Sequence, residues 1–98
     1  MRIYKFEKTF NVVGGIASFN TSEFRGEIRV LQIKPTTSTT RYTVTITNDD
    51  GVVVYRATID GNLLDERIKH WYGIYTIAIS ASTADEPFSL EIDYVDLQ

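Results

Sequence analysis

The residues able to do chemistry are few and scattered. His70 is the single histidine. A general base or a zinc site needs partners at defined spacing, and none accompanies it. Alone, it reads as a surface residue. Cysteine is absent, which removes disulfides and thiolate-ligated metals. Serine and threonine are plentiful, yet no Gly-x-Ser-x-Gly turn occurs to present a nucleophile. Carboxylates gather at Asp49 and Asp50, at Asp60, Asp65 and Glu66, and at Asp85 and Glu86. A calcium loop places several oxygen ligands within one turn. Asn48-Asp49-Asp50-Gly51 and Asp60-Gly61-Asn62 hold fragments of such a loop, and ordinary turn chemistry accounts for both. Glu91, Asp93 and Asp96 fall at solvent-facing strand or terminal positions and read as a charged face that discourages edge pairing. Gly14-Gly15 joins strand to strand, so it is not the phosphate-binding entry to a helix. The expectation is a protein that is not an enzyme, with no catalytic residues, no metal and no cofactor.

Recognition chemistry is better represented. His70, Trp71 and Tyr72 put three rings in a row, flanked by Arg67 and Lys69. Trp and Tyr are enriched where proteins bind partners, and such rings also stack on sugars. The competing reading is that Trp71 plugs the end of the core, because Trp is highly buried on average. Both readings depend on where the segment lies in the fold.

Strands must position these residues. Tyr42, Val44 and Ile46 alternate with Thr43, Thr45 and Thr47, and Val53, Tyr55, Ala57 and Ile59 alternate with Val54, Arg56 and Thr58. A period of two places each set on one face of a pleated strand. Asn48 to Gly51 between them supply a type I turn with a G1 bulge, so residues 42–59 are expected to form a hairpin. Arg2 to Val13 is a long strand with Tyr4, Phe6, Phe10 and Val12 on one face and Lys8 interrupting it. A short strand follows at Ile16 to Phe19. Phe24 to Ile33 changes phase: Ile28 and Val30 share one face, Leu31 and Ile33 the other. Either both faces are buried or a bulge near Val30 resets the register. Residues 34–40 are a loop, and Pro35 stops the strand before it. Residues 60–72 read as a crossover loop that packs Leu63, Leu64 and Ile68 on an open end of the core. Gly73 to Ala81 and Phe88 to Val95 alternate again, and with the turn at residues 82–87 they are expected to form a second hairpin.

Regularly spaced strands with turn chemistry between them and no defensible helix point to an all-β fold: a single antiparallel β-sandwich or jelly-roll-like domain over residues 1–98. The expected core is Phe6, Phe10, Ile28, Val30, Val44, Ile46, Val53, Tyr55, Ile77, Ile79, Leu90 and Ile92. A net charge of −3 lacks the positive field that nucleic acid requires, and no apolar run nears a membrane span. No signal peptide is visible in MRIYKFEKTF. Neither nucleic acid nor a membrane is expected as a partner.

GEIRVLQIKPTTSTTRYTVTITNDDGVVVY, followed by GIYTIAISASTADEPFSLEIDYV, resembles small β-sandwich structural proteins of tailed-bacteriophage virions. The resemblance spans residues 26–95 and lies in an order of features, with no site residues to carry over. It implies a non-enzymatic structural role in the particle, as capsid decoration, head–tail or tail protein. The implied partners are other virion proteins or copies of this chain, assembled in the bacterial host cytoplasm. The candidate interface comprises the Arg67, Lys69, His70, Trp71 and Tyr72 stretch and the end of the first strand. There Ile3, Tyr4 and Phe6 are expected to overhang shorter neighbours and invite strand addition from a homo-oligomeric partner. The alternative is a carbohydrate- or ligand-binding module built on His70, Trp71 and Tyr72.

Overall fold

The computed structural model describes residues 2–97. Among them nine strands form: β1 (Ile3–Asn11), β2 (Ala17–Asn20), β3 (Phe24–Pro35), β4 (Arg41–Thr47), β5 (Val53–Asp60), β6 (Leu63–Asp65), β7 (Lys69–Gly73), β8 (Thr76–Ser80) and β9 (Pro87–Asp96). They make two antiparallel sheets packed as a β-sandwich. One has the order β1-β9-β3-β6, with β7 also paired to β3; the other is β2-β8-β4-β5.

The core is the meeting of the alternating apolar faces. Phe24, Ile28, Leu31, Ile33, Phe88, Leu90 and Ile92 come from the first sheet, and Tyr42, Val44, Ile46, Ile77 and Ile79 from the second. Tyr42 brings a hydroxyl into this core and donates it to the Gly61 carbonyl at 2.8 Å. Burial pushes its pKa up to about 12.

The central hairpin forms with its turn as expected. Gly51 N donates to Asn48 O at 3.0 Å, Gly51 has φ of 79°, and the β4–β5 register shifts beside Thr47. That shift leaves Val53 half outside, which removes it from the core. In β3 the phase change is a bulge: the register to β9 jumps between Ile28 and Val30. The extra residue returns Leu31 and Ile33 to the core side and leaves Val30 only half-buried. Phe6 and Tyr55 pack on the core's margin.

Three expectations are corrected. Strands β8 and β9 form no hairpin; they lie in opposite sheets, and residues 81–86 cross between them. The crossing is fastened to neighbours on both sides. Asp85 accepts from Gly14 N and Gly15 N, each at 2.9 Å, and Glu86 accepts from Thr37 N at 2.8 Å and Thr40 Oγ1 at 3.1 Å. These bonds hold both carboxylates below their usual pKa range. A strand's alternation is the same whether its partner is the next strand or a distant one, so the pattern misassigned the connection.

Residues 60–72 are not a free crossover loop. They supply β6 and β7, which pair with β3 at Leu31–Ile33 and at Phe24–Ile28. Leu63 is buried, whereas Leu64 and Ile68 are exposed. Finally, β1 does not overhang. It pairs with β9 along its whole length, from Ile3 opposite Val95 to Asn11 opposite Pro87. Lys8 leaves the strand unbroken, its Nζ lying 5.7 Å from the Phe19 ring centre.

Candidate functional site

A sandwich of two open sheets has two lateral edges, and the residues singled out by sequence divide between them. On one side β5 ends the second sheet and the β6–β7 strip ends the first. Between them runs a groove of about 420 Å³ lined by Val54, Tyr55, Arg67, Ile68, Lys69, His70, Trp71 and Tyr75. On the other side β1 ends the first sheet, with Ile3, Tyr4 and Phe6 along it.

Alternation along β7 decides how its rings are used. Lys69 and Trp71 turn inward; His70 and Tyr72 turn outward. Trp71 is 3% exposed. It stacks on Tyr75 with ring centres 4.4 Å apart and meets Phe24 edge-on at 5.8 Å. The Tyr75 hydroxyl accepts from Tyr72 N at 2.9 Å, which fixes that ring against the strand. Trp71 is therefore a core plug that shows the groove only a margin, which decides between the two readings its sequence position allowed. His70 stands outside, with Nε2 3.5 Å from Glu27 Oε2. Tyr72 is 60% exposed.

The polar floor of the strip centres on Asp65, which the sequence offers only as one of several clustered carboxylates. Its side chain is buried and accepts from Arg67 N at 2.9 Å, Arg67 Nε at 3.2 Å and an Arg67 guanidinium nitrogen at 3.0 Å. Lys69 Nζ lies 3.2 Å from Asp65 Oδ2, the oxygen the guanidinium nitrogen also reaches, and 5.7 Å from the Tyr55 ring centre. The Arg67 bonds, against some cost of burial, hold the Asp65 carboxyl well below the ordinary carboxylate range. Burial and then the Asp65 charge raise the Tyr55 phenol. Arg67 and Lys69, both in the candidate interface, are engaged by Asp65 of their own chain. Strand alternation could not signal this, because Arg67 lies in the gap between β6 and β7, where period-two spacing does not run on.

Beside Arg67 and His70 the groove also offers apolar surface. Ile68 and Val54 are 59% and 43% exposed on its two walls. Their chain neighbours Val52, Val53, Tyr72 and Ile74 are also exposed. Asp49 Oδ2 accepts from Ile74 N at 3.3 Å and ties the hairpin turn to this end of the sandwich. The run Val52-Val53-Val54 carried the signal, because three consecutive valines in a strand cannot all face inward. Among the described residues no group of three or more His, Asp or Glu side chains is placed to hold a metal ion.

No protein-family model matches the sequence, and no curated protein matches it. Among solved structures, the mitogen derived from Yersinia pseudotuberculosis aligns with 99% of this chain and 88% of its own, with a TM-score of 0.58 and 17% identity. That likeness is one of fold: the whole chain takes the same β-rich architecture. A structure of infectious bursal disease virus, Gt strain, aligns with 94% of this chain and 31% of its own, with a TM-score of 0.39 and 10% identity.

Proposed function

We propose that this protein is a non-enzymatic structural component of a bacteriophage virion, present as capsid decoration, head–tail or tail protein and acting through protein–protein contacts. The virion assignment rests on the order of sequence features in residues 26–95. The observation that carries the contact role is the set of large apolar side chains left outside at one end of the sandwich: Val52, Val53, Val54, Ile68, Tyr72 and Ile74. Scattered exposed residues need no explanation, but Val54 and Ile68 line one groove, and clustered apolar surface marks an interaction site. Weak single contacts suit a multi-copy component, because many copies on a particle act together.

The alternative, a carbohydrate- or ligand-binding module on His70, Trp71 and Tyr72, needs three accessible rings. With Trp71 inside the core, His70 and Tyr72 remain, and a glycan array would have to show retention through those two. Quantitative mass spectrometry of purified particles tests the main reading. A fixed copy number per particle is expected. Absence from particles, with the protein found only free in the lysate, overturns it.

A further inference from the structure

The β1 edge carries its own instructions for a partner. In the β1–β9 ladder, Val12 N donates to Glu86 O at 3.0 Å in continuation of the register that sets Asn11 opposite Pro87. Hydrogen-bonded pairs alternate along an antiparallel ladder, so Phe10, Lys8, Phe6 and Tyr4 bond to β9. Ile3, Lys5, Glu7, Thr9 and Asn11 then direct their N–H and C=O groups away from it. Among the described residues β1 pairs with β9 alone, so this row of groups is a free edge. The same five residues are exposed on the outer face, while Tyr4, Phe6, Lys8 and Phe10 lie on the sandwich side.

We propose that β1 pairs antiparallel with β1 of a second copy, about a two-fold axis at Phe6, joining two five-stranded sheets into one continuous sheet. A two-fold contact must be self-complementary, and Ile3–Thr9 is so in this register. Lys5 faces Glu7 of the second copy, and Glu7 faces its Lys5. Both pairs fall at hydrogen-bonding positions, where the free backbone groups meet. On the sandwich side Phe6 meets Phe6, and Tyr4 meets Lys8 at both ends. A shift by two residues one way sets Lys5 against Lys5; the other way sets Glu7 against Glu7. Like charges directly opposite are destabilising. A shift by one puts free edge groups opposite groups already bonded to β9. Charge and hydrogen-bond phase therefore select one register.

The monomer leaves Glu7 in need of that partner. It stands directly opposite Glu91. Lys5 is drawn to Glu91, at 3.7 Å, and Glu7 makes no ion pair among the described residues. The strand also has no bulge against β9 and no proline, two of the usual protections of an edge.

This inference deepens the assembly reading and rests on it for expecting like-with-like contact; its test is independent of particles. The contact is small, so dissociation in the range of about 10 μM to 1 mM is expected, and work at high concentration is needed. The chain has no cysteine, so single introduced thiols report cleanly. In the proposed register Tyr4 and Lys8 of the two copies occupy non-hydrogen-bonded sites, whose separation fits a disulfide. A mixture of Tyr4→Cys and Lys8→Cys proteins should cross-link under mild oxidation at least about tenfold faster than either alone. Equal rates in the mixture and the single variants, or no cross-linking at millimolar protein, overturn the proposal.

Charge reversal gives a second readout by sedimentation equilibrium. Lys5→Glu and Glu7→Lys should each weaken dimerisation by about tenfold or more, and mixing the two should restore it, because both cross-strand pairs become attractive again. Unchanged dimerisation in both variants, or no rescue on mixing, overturns the register. Both substitutions lie on the exposed face, and circular dichroism will show that the fold is kept. If the unmodified protein is counted in particles but never dimerises, this inference falls and the assembly reading stands. If it dimerises in this register yet is missing from particles, the β1 contact stands and the virion reading falls.

Discussion

Along β1 the edge of the five-stranded sheet runs for nine residues without a break, while the opposite edge is cut into β6 and β7. The cut falls where β3 bulges between Ile28 and Val30, so no straight strand fits alongside it there. The two edges are consequently held by different means. The β1 edge depends on its ladder to β9 and carries exposed, alternating side chains. The β6–β7 edge depends on side chains: Leu63 and Trp71 anchor it in the core, and Asp65 bridges the gap by gripping Arg67 and Lys69. A regular edge with free backbone groups can accept another strand. An interrupted edge fastened by its own side chains resists that and presents a groove instead.

Substitutions graded by effect sharpen this contrast. The reference is the core common to both edges. Ile46 is fully buried, and Ile46→Asp should abolish cooperative folding by thermal melting, since an unpaired charge there is costly. A soluble, cooperatively melting variant would mean the strand phase is wrong. Next is Trp71→Ala. Removing the plug should cost about 3–5 kcal/mol in urea unfolding, as for other buried aromatic truncations. Tyr4→Ala, at the other edge, should cost under about 1 kcal/mol while weakening self-association. Comparable losses at the two positions would erase the distinction.

Two carboxylates extend the comparison to pH. The Asp65 pKa is lowered in the folded protein, chiefly by Arg67. Its contribution is present above the ordinary unfolded value near 3.8 and is lost as pH falls through the folded value. Asp65→Asn should lower stability at pH 7 by about 1–3 kcal/mol, because Arg67 and Lys69 lose their shared carboxylate, and should flatten the acid limb of a urea-midpoint profile. Asp93, on the outer face of β9 opposite Lys5, is shifted the other way, first by burial and then by Glu91. With its folded pKa raised, its contribution is present below the unfolded value and is lost as pH rises through the folded one. Asp93→Asn should therefore raise the urea midpoint at pH 7, by less than about 1 kcal/mol of stability. A fall at neutral pH would show that Asp93 has a stabilising partner on that face.

The sequence disclosed elements whose inward faces are uniformly apolar. The β4–β5 hairpin and β9 were legible to within a residue or two, and β8 to within three, because every second side chain is apolar and the turns contain Gly, Asn or Asp. The β6–β7 strip was not. Its inward positions include Asp65 and Lys69, and only their mutual pairing makes those positions tolerable in a strand. Trp71 admitted two readings, and burial against Tyr75 and Phe24 decides for the plug. The groove escaped notice because its walls come from residues 54–55 and 67–75, which nothing local brings together. Strand connectivity was hidden for the same reason: alternation specifies a face and leaves the neighbour unspecified.

The pairing of β1 with β9 sets the order in which the chain can mature. On the ribosome β1 emerges well before β9, the strand it pairs with. At about 5–20 residues per second the interval is on the order of ten seconds. Throughout that time both margins of β1 are unpaired, and β3 also waits for β9. The β2-β8-β4-β5 sheet completes earlier, because all its strands precede residue 81. Closure of the sandwich is thus a late, nonlocal event, of the kind that slows folding. Nascent chains on one messenger expose the same Ile3–Asn11 segment side by side while they wait. The charge pattern that selects one register in the finished protein also limits which chance pairings of those segments can persist.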